Sequence, residues 1–198
     1  HLVADHPEIA KHLATRVNPR KITMIPYGAN PVESASTENV TRYGIEPGKY
    51  AIVIARPEPE NSVLDIVKAF SRKSRGCSLV VLGKYDGEKN AFHAEVLKSA
   101  SKEVLFLGAI YEKDIVEALR FHARLYVHGH RVGGTNPSLV EALGARSAVL
   151  AHDNRFNRWV VGDGARYFKD EQQCSDLFDT LLSDDEEIGL MKRQSLTR

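Results

Sequence analysis

The stretch Val132-Gly133-Gly134-Thr135-Asn136-Pro137-Ser138-Leu139-Val140-Glu141-Ala142-Leu143-Gly144 is a glycine pair running into a helix start. Asn is a preferred N-cap, and Pro suits the first helical position because its missing N–H would be unpaired there anyway. Immediately before it, Ala123-Arg124-Leu125-Tyr126-Val127-His128 is a short β-type run, so the local order is strand, glycine turn, helix. Backbone N–H groups at Gly133–Thr135 and the positive end of the helix then face whatever lies above the glycines. That is an anion site at the carboxyl edge of a parallel sheet. Further into the helix, Glu141 shares a face with Ser138 and Ala145, while Leu139, Val140 and Leu143 take the apolar side. A carboxylate behind an anion cradle cannot hold phosphate, but it can accept hydrogen bonds from ribose or sugar hydroxyls.

Working outward, strand-like and helix-like segments alternate along the chain. Lys21–Pro26, Tyr50–Ala55, Ser78–Gly83, Glu103–Gly108, Arg124–His128 and Ser147–Ala151 are short, apolar and bounded by Gly, Pro or charge, as strands buried on both faces are. Between them Ser62–Ser74, Glu88–Ser101, Glu112–His122 and Asn136–Ala145 carry helical patterns; Val63, Ile66, Val67 and Phe70 make the stripe of a helix packed on a sheet. This alternation predicts an α/β fold, a Rossmann-like parallel sheet flanked by helices, because parallel strands need crossover helices. Asn30–Asn39 reads as a loop or weak helix, and His1–Ala4 as a strand stub leading into a helix over Asp5–Arg16.

Composition narrows the class. The 198 residues are 42% hydrophobic and 27% charged with a net charge of +1, which gives no electrostatic argument for a nucleic-acid partner. Cys77 and Cys174 are too few for a disulfide framework or metal cluster, which fits a reducing compartment. No apolar run approaches the roughly 18 residues that span a bilayer. His128 and His130 lack the carboxylate or cysteine company of a zinc site, so no metal is expected; a structural or substrate-lining role suits them better. A dehydrogenase is disfavoured because no G-x-G-x-x-G follows the first strand of a βαβ unit. A sugar-phosphate epimerase would need an acid–base pair that the sequence does not supply.

Four segments in order resemble the C-terminal, donor-binding domain of retaining GT-B glycosyltransferases of family 4: Ile22–Asn30, Val53–Asn61, Leu105–Asp114, and Gly133–Gly144 continued by Ser147–Ala151. Pro57-Glu58-Pro59-Glu60-Asn61 with Gly133–Ser138 looks like a bacterial branch often described as rhamnosyltransferases. The resemblance implies a nucleotide-sugar donor as substrate, with no cofactor and no metal in this domain. The acceptor, a glycan or lipid-linked saccharide in polysaccharide assembly, would meet an upstream domain, to which residues 1–20 would cross. Residues 21–169 would be the nucleotide-sugar-binding domain and 170–198 a helical tail packing on its surface. A cytoplasmic location follows from the same resemblance, and it allows peripheral association of the full-length enzyme with the inner face of the membrane.

Residue by residue, the resemblance makes Glu141 the ribose ligand, against the bland alternative of a surface glutamate paired with an arginine. Arg56 ends a strand, where a guanidinium can fork onto a diphosphate. Gly133, Gly134, Thr135, Asn136, Ser138 and Leu139 form the phosphate-side loop and helix start, with His128 also on the donor and Gly28 turning near the inter-domain cleft. Ile110 would read the edge of the base and Tyr111 border it. Two departures stand out. The family's first glutamate is Gly133 here, and its lysine near the diphosphate is Asn61, with Arg131 or Lys84 as substitutes for the lost charge. The competing expectation is a nucleotide-binding or interaction module of the same fold that has lost transferase activity.

Overall fold

Tyr50-Ala51-Ile52-Val53-Ile54 makes a strand almost wholly buried on both faces, and the sheet is built outward from it. The computed structural model describes residues 1–198. The chain opens with β1 (Leu2–Ala4), α1 (Pro7–Ala14), β2 (Ile22–Met24) and the short α2 (Glu38–Thr41). It continues through β3 (Tyr50–Ile54), α3 (Val63–Ser71), β4 (Ser78–Leu82), α4 (Ala91–Lys98) and β5 (Val104–Gly108). Helix α5 (Lys113–Phe121) then leads to β6 (Leu125–His128), α6 (Pro137–Gly144), β7 (Val149–His152), α7 (Arg155–Val161) and β8 (Arg166–Phe168), and the chain closes with α8 (Glu171–Leu181) and α9 (Asp185–Ser195). No helix is long and apolar enough to cross a membrane.

The main sheet has six strands in the order β5-β4-β3-β6-β7-β8, all parallel. The chain grows from β3 toward one edge, returns, and grows from β6 toward the other. Its direction reverses where β3 pairs with β6 in the register Ile52 to Tyr126. Loops leaving the carboxyl ends of these two strands diverge, and the crevice between them is where open α/β sheets take ligands.

Alternating side chains divide the core in two. Ala51, Val53, Leu79, Val81 and Leu125 face α3, α8 and α9, while Tyr50, Ile52, Val80 and Tyr126 face α5 and α6. Helices α8 and α9 bury Cys174, Phe178, Leu181, Ile188 and Met191 in the first of these layers. Arg75, its side chain 3% exposed, pins α8 to α3. It donates to the Phe70 and Ala69 carbonyls and to Ser175 Oγ, each at 3.0 Å, and pairs with Asp179. Its guanidinium lies over the Phe70 and Phe178 rings.

One expectation is revised, and two elements had no reading in the sequence. The strand expected over Lys21–Pro26 does not join the main sheet; three of its residues pair with Leu2–Ala4 in a separate two-stranded sheet, with Ile25 N–H donating to the Ala4 carbonyl at 2.8 Å. Helix α7 and strand β8 carry no strong pattern in the sequence, because Arg155, Asn157, Arg158 and Arg166 interrupt their apolar residues.

Candidate functional site

A cavity of about 1200 Å³ opens over the reversal between β3 and β6. Its floor is the ends of β3 and β4 (Ile54–Pro57, Leu82–Lys84), and one flank is Ala109–Tyr111 with α5. The other flank is His130, Val132, Gly133 and the start of α6, and Gly28–Asn30 close the remaining side. Of the residues singled out in the sequence, Gly28, Arg56, Ile110, Tyr111, Gly133, Asn136, Ser138 and Glu141 line it. Tyr111, 89% exposed, projects into open space. Leu139 and His128 do not reach the wall: Leu139 is fully buried in the core between α6 and the sheet, and His128 is 1% exposed. Gly134 and Thr135 lie behind Gly133, outside the lining.

Glu141 pairs with an arginine, as in the bland alternative, and also lines the cavity. Its carboxylate is half exposed in the cavity and takes Arg120 Nη2 at 2.6 Å, while Arg120 itself is 5% exposed. Arg120 Nη2 also donates to Ser138 Oγ at 3.1 Å, which shares a hydrogen bond of 2.8 Å with the buried Tyr126 hydroxyl. Helix α5, helix α6 and strand β6 each supply a member, so the carboxylate's position is set by three elements of the core layer. A carboxylate has room for about four hydrogen bonds, so the pair leaves acceptor capacity facing the cavity.

The glycine loop is not the open N–H cradle expected. The Thr135 N–H donates to Asp5 Oδ2 at 3.1 Å, and the Thr135 hydroxyl donates to the Asp5 carbonyl. Asn136 Oδ1 caps α6 at the Ser138 N–H, 3.0 Å away. A helix start attracts carboxylates, and here Asp5 at the end of β1 supplies one. Gly134 is required for this approach, since a Cβ there would overlap the Asp5 carboxylate. What faces the cavity is Gly133, at a φ of +145°.

Positive charge in the wall comes from side chains. Lys113 pairs with Glu117 at 3.5 Å and Arg120 with Glu141, whereas Arg56 and Lys84 line the cavity and make no ion pair. Of the two substitutes expected for the missing lysine, Lys84 lines the cavity. Arg131 is turned away, bonded to Ser62 Oγ at 2.8 Å and Asp65 at 2.5 Å. Asn61 is 3% exposed and donates from Nδ2 to the Arg56 carbonyl at 2.8 Å, so it fixes the backbone that carries the arginine.

Sequence reasoning missed Arg120, which reads as an ordinary polar residue on an amphipathic helix, and placed weight on His128 where His130 forms the wall. The signal for His130 lay in strand alternation: Tyr126, His128 and His130 share one side, and the last of them stands beyond the strand end. Their rings stack in that order, His128 on His130 at 4.3 Å and 9° between planes. Burial pushes the His128 imidazole well down and holds His130 at about 4, with the Arg56 guanidinium adding to the second effect. Both rings are therefore neutral near pH 7.

Residues 36–195 match the family described as glycosyl transferases group 1. None of the curated proteins matches the chain. Among solved structures, it is similar to Alr3699/HepE from Anabaena, determined in complex with UDP and glucose, at a TM-score of 0.83 and 13% identity over 98% of this chain and 57% of that one. It is similar also to sucrose-phosphate synthase from Thermosynechococcus elongatus, with a TM-score of 0.78 and 16% identity over 98% of this chain and 51% of the synthase. The C-terminal domain of the group 1 glycosyl transferase LpcC from Francisella tularensis gives a TM-score of 0.70 and 21% identity over 85% of this chain and 92% of that domain. The chain thus spans little more than half of the first two proteins and nearly all of the third. The six-stranded parallel sheet flanked by helices, with the match over residues 36–195, makes this chain a member of the glycosyl transferases group 1 family with the fold of a GT-B C-terminal domain.

Proposed function

We infer that this chain is the nucleotide-sugar-binding domain of a retaining glycosyltransferase of family 4. The enzyme transfers a sugar from a nucleoside diphosphate sugar to a glycan or lipid-linked acceptor in polysaccharide assembly. The observation that carries the reading is one cavity wall holding a buttressed carboxylate, Glu141, together with two unpaired cations, Arg56 and Lys84. Glu141 accepts the ribose hydroxyls, the base lies against Ile110 and Tyr111, and Arg56 and Lys84 face the diphosphate. As the bond to the sugar breaks, these cations stabilise the charge gathering on the leaving diphosphate. HepE, with 13% identity to this chain, was determined with UDP, which agrees with a donor of this class. The bacterial rhamnosyltransferase-like branch is the assignment we favour within the family, from the wording of Pro57–Asn61 and Gly133–Ser138.

In this reading residues 1–20 belong to the crossing from an acceptor-binding domain, residues 21–169 hold the donor and 170–198 brace it from the surface. The chain by itself binds nucleotide weakly and turns nothing over. The complete enzyme works in the cytoplasm, at the inner face of the membrane when its acceptor is lipid-linked. Gly133, where a carboxylate would touch the donor sugar, favours one second reading: a module that binds nucleotide without transferring sugar.

Ligand-observed NMR of the chain against UDP, GDP, ADP and dTDP tests the assignment. One diphosphate should bind selectively, and Glu141→Gln should weaken it about tenfold, the worth of hydrogen bonds to a charged group. Glu141→Ala should weaken it as much while also exposing the loss of the Arg120 pair as lower stability. Equal affinities in wild type and both variants would remove Glu141 from the site, and absence of binding to all four would overturn the donor assignment.

A further inference from the structure

His130 stands in the cavity wall with no hydrogen-bond partner at either ring nitrogen, and its Nδ1 is buried. Beneath it His128, 1% exposed, likewise lacks a partner for both nitrogens. Buried polar atoms are nearly always bonded, and each exception in a native fold asks for a cause. The cause here is geometric. The stack of His128 on His130 is nearly face to face, and it leaves each ring's edge free while fixing its plane.

The backbone fixes the rest. Gly129 between the two histidines presses against the start of α3: a Cβ there would overlap the Asn61 carbonyl and stand 2.8 Å from Ile66 Cδ1. On the other side the His130 carbonyl accepts from Asn154 Nδ2 and Asn157 Nδ2, each at 2.9 Å, and Asn157 also ties to the His152 carbonyl at 2.9 Å. The imidazole is thus held at its carbonyl, at its neighbouring Cα and through its ring face, yet its own polar edge is unused. Held groups with free polar edges are what a binding site needs, because little conformational entropy remains to be lost on contact.

Its neighbours say which part of a ligand it meets. Arg56 and Glu60 are the charged groups that act on the ring, and Gly133 leaves the space beside it without a side chain. Glu141, the ribose ligand in the proposed function, lines the cavity from α6. We propose that the His130 imidazole hydrogen-bonds a hydroxyl of the donor's sugar, beyond the diphosphate held at Arg56, and so selects the sugar that this site accepts. This rests on the nucleotide-sugar reading of the cavity. A neutral imidazole offers one donor and one acceptor to a hydroxyl, whereas the carboxylate that Gly133 lacks would offer acceptors alone. His128 acts through His130 as a positioning residue, its ring setting the plane of the one above.

The test compares UDP with UDP-glucose, and the other nucleoside diphosphates with their glucose conjugates, on wild type, His130→Phe and His130→Gln. The partly exposed ring tolerates both changes, and a wild-type-like backbone NMR spectrum is required of each. His130→Phe should lower the affinity for the sugar conjugate about tenfold while leaving the diphosphate unchanged, and His130→Gln should recover part of the loss. In wild type, the imidazole nitrogen shifts of His130 should move on adding the sugar conjugate and not on adding the diphosphate. Unchanged affinity of His130→Phe for the conjugate overturns the proposal, as does an equal loss for conjugate and diphosphate, which would put the ring on phosphate. Failure of wild type to bind any diphosphate would instead overturn the nucleotide reading itself, so the two failures are told apart.

Discussion

At the scale of single residues, the site depends on places where a side chain is forbidden as much as on those it presents. Gly129 brings the end of β6 onto the backbone of Asn61, which unlike the Ile66 side chain beside it cannot yield by changing rotamer. Gly129→Ala is expected to cost about 2–4 kcal/mol, the range of an overpacked or strained core position, read as a lower urea midpoint with an unchanged slope. The same scale shows why Asn61 is no simple loss of the lysine seen elsewhere in the family. Its amide holds the Arg56 carbonyl, and Lys84 from the neighbouring strand end lines the same cavity. Residue identity could be read from the sequence, but the direction of Arg131 could not. That depended on Ser62 and Asp65 at the start of α3, more than 60 positions away in sequence.

At the scale of elements, the legible parts were those with one dominant period. Tyr50–Ile54, Ser78–Leu82 and Leu125–His128 are unbroken apolar runs, and burial on both faces leaves such runs no other use. The Asn136 cap with Pro137 behind it marks the start of α6 to the residue. Helix α7 and strand β8 were illegible because their polar residues have local work: Asn154 caps the helix and Asn157 clamps two strand-end carbonyls. The place of Asp5 in the glycine loop was equally hidden, since 130 positions separate it from Thr135. Helix α8 shows how much an arginine can organise. Removing Arg75 strands the Ser175 hydroxyl and two carbonyls beside the Phe70–Phe178 contact and leaves Asp179 with Lys73 alone. Arg75→Ala is expected to cost about 3 kcal/mol, as breaking a buried charged network does, and to speed amide exchange in α8 more than in β3–β6.

At the scale of the whole molecule, four histidines, His6, His128, His130 and His152, have imidazoles pushed below their ordinary value, burial being the largest cause in each. The unfolded chain therefore binds more protons than the folded one below pH 6.5, and folding stability must fall as pH drops. For His130 the loss begins at 6.5 and is complete near 4. Stability derived from urea unfolding should decline by about 3 kcal/mol or more across that window, and His130→Gln should flatten part of the decline. The classes of contact that hold the fold also join its two sheets. Thr135 gives both its N–H and its hydroxyl to Asp5, and Gly134 leaves no slack between them. His6, next in sequence, is fully buried against Phe156 and Trp159 of α7. The small sheet is therefore fastened to the glycine loop and helix start that form one flank of the cavity. Two segments far apart in sequence thus share one anchorage beside the cavity mouth.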